Sequence, residues 1–336
     1  MNKRHGLFIF AGLMLTAAGF AQETTIRGFA DVAFTASNQE SNRTFFSLGQ
    51  YDLYITSRLS DRISFLGESV FEYDEGYIVD VERILVKYEF QDYFNVVAGK
   101  HHTPIGYWNT AYHHGTLLQP TIQRPIAFLF EDEGGILPIH TTGVLLTGSS
   151  VGRLNFGYDF IIGNGIGAST TGDNDDHKCY SLTLRADPVD GLRLGVSFYG
   201  DRISAGVASL QGMPLAVDVK QRLLTGTLVY LRNPYEFIGE FLRATNQPGA
   251  AEKTAASAFY LYGGYRLGKT VPYLRYDRLT FDDDEVYYVP NDATMVLIGL
   301  RHDFSFQATL KVEYQNLKTE LNGTSGLITA QFAVGF

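Results

Sequence analysis

The chain has 336 residues, of which 45% are hydrophobic, 14% aromatic and 19% charged, and its formal net charge is -9. The aromatic content excludes a disordered chain, because disordered segments carry few aromatic residues. The acidic balance disfavours a nucleic-acid partner, and the single cysteine, Cys179, excludes an intrachain disulfide.

The first 21 residues have the three parts of a secretory signal peptide. Lys3 and Arg4 form a basic start, residues 6–18 form an apolar stretch, and Gly19-Phe20-Ala21 matches a small-x-small cleavage site. We therefore predict a cleaved signal peptide at residues 1–21 and a single mature domain at 22–336. No later run of about 20 apolar residues occurs, so no transmembrane helix is expected in the mature chain.

From Ile26 onward, segments of about 10 residues alternate between apolar and polar side chains. One segment places five apolar side chains on one face: Leu154, Phe156, Tyr158, Phe160 and Ile162. Another places Phe259, Leu261, Gly263, Tyr265 and Leu267 on one face. A period of two residues indicates β-strands, because successive side chains of a strand point to opposite faces.

The spacers between these segments alternate between short and long. Turn-like pairs such as Asn233-Pro234 and Gly268-Lys269 alternate along the chain with longer polar stretches such as 202–218 and 281–293. The segments number about sixteen, and an even number suits a closed transmembrane barrel, in which strands pair every backbone group. We predict an all-β fold, a transmembrane antiparallel barrel of about 16 strands. Aromatic residues near strand ends, including Tyr287-Tyr288 and Phe336, predict interfacial girdles. A soluble barrel or propeller with an aromatic core is the alternative.

The spacer from His102 to Ile139 is far longer than ordinary barrel loops. It contains Trp108, the only tryptophan, together with four prolines. This apolar and stiff composition indicates an ordered segment with a function.

Two segments carry a resemblance to a protein family. Leu327 to Phe336 alternates hydrophobic residues and ends in Phe, and it resembles the terminal strand of bacterial outer-membrane barrels. Ala98 to Gly106 resembles, more weakly, the strand-to-loop junction of phosphate-selective-type porins. The mature chain as a whole resembles a bacterial outer-membrane porin, of the general or the phosphate-selective type. No motif fixes a subfamily, so phosphate selectivity is not carried over.

The resemblance implies several further properties. It places the protein in the bacterial outer membrane, as a homotrimer that lets small hydrophilic solutes or ions pass through a water-filled channel. It also implies that the third loop, residues 102–139, folds into the lumen and narrows it. An extracellular cap is the alternative for this loop.

Charged residues at a constriction select ions, because pore diameter and lining charge discriminate solutes. Strand parity places Arg83 and Lys87 on the luminal face, since Ile84 and Val86 occupy the lipid-facing phase. General porins set acidic loop residues against a basic wall, and this chain resembles that plan. Six residues are the candidates for constriction and selectivity: Arg83, Lys87, Arg124, Glu131, Asp132 and Glu133. Each of them either lines the constriction or only solvates the lumen.

Histidines also concentrate in and beside the long loop. The candidates for metal binding are His101, His102, His113 and His114, because clustered imidazoles suit a transition metal. They lack a defined ligand spacing, however, and hydrogen bonding or a pH response in the lumen is the alternative. No cofactor is expected. Acidic runs at 173–176 and 282–285 predict a solvated outer surface that binds divalent ions bridging to lipopolysaccharide.

The sequence shows no nucleophile elbow, zinc-protease motif or phosphate-binding glycine loop, so we expect a protein that is not an enzyme. The predicted function is a passive channel. An adhesive or structural barrel and a barrel hydrolase are the alternatives.

Overall fold

The computed structural model describes residues 23–38, 43–73, 76–130, 133–169 and 171–336. The predicted signal peptide at 1–21 lies outside the described residues, as do Glu131 and Asp132. The described residues form sixteen strands: β1 (Thr24–Ser37), β2 (Thr44–Arg58), β3 (Ile63–Tyr73), β4 (Tyr77–Gln91), β5 (Phe94–His102), β6 (His140–Val151), β7 (Phe156–Asn164), β8 (Lys178–Val189), β9 (Leu192–Ile203), β10 (Val219–Arg232), β11 (Tyr235–Pro248), β12 (Thr254–Tyr265), β13 (Thr270–Phe281), β14 (Ala293–Ser305), β15 (Ala308–Thr319) and β16 (Gly323–Gly335). A short helix, α1 (Tyr107–Ala111), and a 3-10 turn (Ile126–Phe128) lie between β5 and β6.

The strands form a closed barrel. Each strand pairs with its neighbours along the chain, and β1 closes the ring by pairing antiparallel with β16, from Phe29↔Gly335 to Ser37↔Leu327. Closure leaves no unpaired sheet edge, which is the condition for strands in a bilayer. The predicted antiparallel barrel of about 16 strands is confirmed. Among the described residues, no helix is long and apolar enough to cross a membrane.

The outer face of the barrel is apolar, and the inner face is buried. In β14, Ile298 is 58% exposed whereas its neighbour Leu297 is 0% exposed, and in β12 the exposed Leu261 lies between the buried Tyr260 and Tyr262. This alternation follows from the pleat, which sends successive side chains to opposite faces. The alternating pattern of the sequence therefore corresponds to an outward apolar surface that suits lipid.

Short turns gather at one end of the barrel together with both ends of the described chain. The Glu23 carbonyl accepts a hydrogen bond from the Arg58 N–H beside the β2–β3 turn, and the Gly335 N–H donates to the Gln307 carbonyl in the β14–β15 turn. In outer-membrane barrels the short turns face the periplasm. This is called the turn end below, and the opposite end is called the loop end.

The predicted aromatic girdles require exposed rings near the strand ends. Several of the predicted rings are exposed, but Tyr287 and Tyr288 are not. Phe46, Tyr235 and Phe336 are exposed. Tyr287 and Tyr288, by contrast, are buried, and the Tyr288 hydroxyl donates to the Ile136 carbonyl at 3.0 Å. The girdle prediction is wrong for this pair, because the segment between β13 and β14 turns inward and covers the loop end of the lumen.

A β-bulge in β4 changes which side chains face inward. Glu68 pairs with Arg83 but Ser69 pairs with Val81, so Glu82 is the extra residue. A bulge interrupts strict alternation. As a result Glu82 is buried while Val81 and Ile84 are both exposed, and Glu82 joins the interior beside Arg83.

Candidate functional site

The long segment between β5 and β6 crosses the interior of the barrel. Ile105, Trp108, Phe128 and Ile136 of this segment are all buried. Its backbone and side chains contact inward-facing residues of β2, β8, β9, β11, β13 and β15. The described residues of the predicted third loop at 102–139 therefore lie inside the lumen, and this segment is called the inner loop below.

Glu240 of β11 fixes the start of helix α1. Its carboxylate accepts the backbone N–H groups of Tyr107, at 2.5 Å, and of Trp108, at 2.8 Å. The same carboxylate accepts hydrogen bonds from the Tyr260 and Thr227 hydroxyls, each at 2.8 Å. The first N–H groups of a helix have no partner within the helix, so an acceptor in the wall satisfies them and orients the helix.

Two more carboxylates hold the second half of the inner loop. Glu313 of β15 accepts the N–H groups of Ile122, at 3.0 Å, and Gln123, at 3.3 Å. Asp277 of β13 accepts the N–H of Ile126 at 3.1 Å. Charge-assisted bonds of this kind are about twice as strong as neutral ones, so the acidic wall fixes the course of the loop backbone.

Cations of the wall bind the carbonyl groups of the same loop. Arg275, which is fully buried, donates to the carbonyls of Gln123, at 2.5 Å, and Arg124, at 2.7 Å, and its guanidinium also pairs with Asp277 at 2.9 Å. Lys311 donates to the Thr116 carbonyl. Both residues are buried on the inner face of the barrel. The loop is thus held by complementary charges on several strands.

The inner loop separates cavities at the two ends of the barrel. A cavity of about 360 Å³ at the loop end is lined by Arg124 and Glu133 from the loop and by Gln315 from β15. A larger one, of about 630 Å³, opens at the turn end beside Tyr112, Glu236, Arg266 and Arg301. Two further turn-end cavities have volumes of about 470 and 490 Å³. Charged side chains therefore line space on both sides of the loop.

The candidate selectivity residues occupy different surroundings. Arg83 forms an ion pair with the buried Glu68. Lys87 is half-exposed, pairs with Glu89 at 2.6 Å and lines the 490 Å³ cavity. Glu131 and Asp132 are outside the described residues, so their opposition to Arg83 and Lys87 stays a prediction.

Arg124 lies within the inner loop and also supports it. Its guanidinium donates to the carbonyls of His113 and Phe128 and lies 4.2 Å from the centre of the Phe130 ring. Arg124 therefore stabilises the fold of the loop while it lines the loop-end cavity. Glu133 lines the same cavity, and its role in selectivity stays a prediction.

Four histidines converge on Glu82 where the inner loop meets the wall. The distances from Glu82 Oε2 are 2.6 Å to His140 Nε2, 3.1 Å to His114 Nε2, 3.7 Å to His113 Nε2 and 3.9 Å to His102 Nε2. The structure brings together three of the four predicted metal candidates. His101, the fourth, instead lines the turn-end cavity beside Lys87.

The cluster joins separate segments of the chain. His102 ends β5, His140 begins β6, His113 and His114 lie midway along the inner loop, and Glu82 comes from β4. His113 lies outside the strands, and burial lowers the pKa of its imidazole well below the usual range. We refer to Glu82, His102, His113, His114 and His140 as the histidine cluster.

The two acidic runs at the loop end differ in exposure. Asp173 forms an ion pair with Lys178 that lowers the pKa of the aspartate, and both side chains are at the surface. Glu285, in contrast, is buried and accepts a hydrogen bond from Asn246 Nδ2 at 2.7 Å. The predicted solvated surface at 282–285 is therefore wrong for Glu285, which holds the inward turn before β14.

Comparison with known proteins relates this geometry to a class of fold. No protein-family model and no curated protein sequence matches the chain. An anion-selective porin from Comamonas acidovorans is similar in structure, with a TM-score of 0.68 and 12% identity over 94% of this chain and 100% of that chain. The in-vitro folded, trimeric form of OmpT, an outer membrane protein of Vibrio cholerae, is also similar. Its TM-score is 0.67, with 14% identity over 94% of this chain and 100% of that chain.

A third similar structure is the outer membrane channel DcaP of Acinetobacter baumannii, with a TM-score of 0.66 and 10% identity over 94% of this chain and 97% of that chain. The chain has the fold of a bacterial outer-membrane porin. This porin fold, with its apolar outer face, confirms the predicted fold class and the predicted location in the bacterial outer membrane. At these identities the similarity extends to the fold alone.

Proposed function

We propose that the chain forms a passive, non-catalytic channel for small hydrophilic solutes or ions. The observation that carries the proposal is the inner loop, held across a sixteen-strand lumen with charged cavities on both sides. Sixteen strands enclose a lumen wider than side chains alone can fill, and a loop in that lumen sets the narrowest point. An adhesive or structural barrel has no need for a loop anchored in this way.

We also propose a homotrimer, as the trimer form of OmpT, which has a similar fold, suggests. A further part of the proposal is that the acidic run at 173–176 binds divalent ions that bridge to lipopolysaccharide. These contacts concern the outer surface and leave the channel proposal unchanged.

Reconstitution in a planar lipid bilayer tests both the channel and the trimer. We expect stable, ohmic conductance in concentrated salt, because the lumen is aqueous. A trimer should insert as one unit and close in three equal steps. Protein that is folded, as shown by heat-modifiable gel mobility, but that passes no current would contradict the channel proposal. Closure in a single step would contradict the trimer.

Ion selectivity should depend on the acidic charges of the inner loop and on Lys87 of the wall. We expect Glu131→Gln with Asp132→Asn to shift the reversal potential in a salt gradient toward anions, and Lys87→Gln to shift it toward cations. Two unit charges about 4 Å apart interact by about 4 kcal/mol at an effective dielectric of 20 but by about 1 kcal/mol in water, so charges at the narrow point dominate. Arg83→Gln is a poorer probe, because it leaves the buried Glu68 without its partner.

The control for selectivity is the outer acidic run. Replacing Asp282, Asp283 and Asp284 by Asn should change the reversal potential much less, because salt screens exposed charges over about 8 Å. The assignment of the inner loop as the constriction would be overturned if the substitutions at 282–284 shifted the reversal potential more than those at Glu131, Asp132 and Lys87.

A further inference from the structure

The histidine cluster contains polar atoms that are buried and unpaired. Within the described residues, Glu82 Oε2 and the Nε2 atoms of His102, His113, His114 and His140 have no hydrogen-bond partner. The imidazole Nε2 atoms are therefore close to Glu82 Oε2 without forming hydrogen bonds to it. Burying unpaired polar atoms is unfavourable, and it is more so for a carboxylate oxygen. Five such atoms at one point indicate a ligand that bonds to several of them.

The spacing of these atoms suits a metal ion. One donor atom from each of Glu82, His102, His113 and His114 lies within 4.8 Å of every other. With bonds of about 2.0 to 2.1 Å to zinc, the ligands of a tetrahedral site are about 3.3 Å apart. The distances of 3.1 and 3.7 Å from Glu82 Oε2 to His114 and His113 are close to that separation.

Hydrogen bonds on the Nδ1 side orient the imidazoles of His113 and His114 so that their Nε2 atoms point toward Glu82. His113 Nδ1 lies 2.9 Å from Asn109 Oδ1, and His114 Nδ1 lies 3.2 Å from Gln50 Oε1. Both partners are amide oxygens, so each Nδ1 carries the proton and each Nε2 presents a lone pair. Ligating histidines are commonly fixed in this way by a second hydrogen bond.

The charge around the cluster favours a cation. Asp52, Glu68 and Glu82 are buried carboxylates, whereas Arg83 and Arg124 are the guanidinium groups whose charges act on the cluster. With neutral imidazoles, three negative charges face two positive ones. A divalent cation would compensate the excess negative charge and bond to the unpaired Glu82 oxygen.

We propose that Glu82, His102, His113 and His114 form a binding site for a divalent first-row transition metal such as Zn²⁺. Imidazole nitrogen and carboxylate oxygen suit this class of ion, whereas Ca²⁺ and Mg²⁺ prefer oxygen ligands. His140 lies on the open side of the site, because its side chain is 23% exposed while the other three imidazoles are 7% exposed or less. It offers an entry path and a further donor.

The site would fasten the inner loop to the barrel wall. Its ligands come from β4, from the end of β5 and from the middle of the loop. One ion would therefore join the first half of the loop to the wall beside it, on the side opposite the Arg275 and Glu313 contacts. This proposal concerns metal binding and does not depend on whether the barrel conducts.

Isothermal titration of ZnCl2 into tag-free, chelator-stripped barrel in detergent tests the site. We expect one Zn²⁺ per chain, with the dissociation constant raised at least 100-fold by His113→Gln with His114→Gln and by Glu82→Gln. His177→Gln, which alters a half-exposed histidine outside the cluster, is the matched control and should leave the dissociation constant unchanged. CaCl2 in place of ZnCl2 should give no comparable binding.

A second variant leaves all four ligands in place. Gln50→Ala removes the acceptor for His114 Nδ1 and should weaken Zn²⁺ binding by about 10- to 100-fold, the usual effect of losing such a partner. Heat-modifiable mobility identifies variants that have not folded. The proposal is overturned if folded wild-type barrel binds Zn²⁺ no better than the His113→Gln and His114→Gln variant, or if His177→Gln weakens binding equally.

Discussion

Replacing residues 106–136 by a short Gly-Ser linker is expected to raise the single-channel conductance several-fold without opening the barrel. The inner loop contributes no strand to the closed ring, so its removal leaves all sixteen pairings in place. The two ends of the inner loop are adjacent, because His102 of β5 pairs directly with His140 of β6. A short linker can therefore join them without strain, and the lumen of a sixteen-strand barrel without its loop is a wide aqueous channel.

Planar-bilayer recordings measure this effect, and circular dichroism and heat-modifiable mobility confirm that the variant folds. The matched control replaces residues 249–253, the exposed segment between β11 and β12 at the loop end, by the same linker. That segment lies at the surface, so its replacement should change conductance only slightly. Equal increases for the two variants would show that the inner loop is not the narrowest point.

The barrel itself could be predicted from the sequence because its determinants are local. A residue faces lipid or lumen according to its position along the strand, so the alternation from Phe259 to Leu267 already gives β12 and its two faces. The alternation fails where the backbone is irregular. At Val81-Glu82-Arg83-Ile84, two polar residues stand side by side, which is the sequence signal of the bulge. That signal could have identified Glu82 as an inward residue.

The anchors of the inner loop were missed for a different reason. Glu240, Asp277 and Glu313 are single acidic residues in three separate strands, and each resembles any other inward polar residue. Their role depends on backbone N–H groups more than 130 residues away in the sequence. Only the closed barrel brings these groups together, so no local pattern predicts them.

The histidine cluster lies between these two cases. The concentration of histidines around the inner loop identified His102, His113 and His114, but adjacent histidines have no recognisable ligand spacing. The site is completed by the bulged Glu82 and by the pairing of His102 with His140. The choice between His101 and His140 depends on how the end of β5 is oriented, which the sequence does not specify.

Arg275→Met is expected to release the second half of the inner loop from the wall. The substitution keeps the length and apolar part of the side chain but removes the ion pair with Asp277 and the bonds to the carbonyls of Gln123 and Arg124. Removing one partner of a buried ion pair destabilises by about 3 to 5 kcal/mol, because the other charge remains buried without compensation. We expect faster proteolytic cleavage within residues 116–126, noisier open-channel current and a lower free energy of unfolding in urea.

Arg278→Met is the matched control, three residues along the same strand. Arg278 forms a half-exposed ion pair with Asp292 at 3.1 Å, and exposed pairs contribute about 0 to 1 kcal/mol. The control should therefore leave proteolysis, current noise and unfolding close to wild type. Arg275→Lys should fall between the two, because the ammonium keeps the charge opposite Asp277 but lacks the planar fork that reaches two carbonyls at once. If Arg275→Met behaved like Arg278→Met, the acidic anchors and Lys311 would hold the inner loop without Arg275, and Arg275 would have no part in setting the constriction.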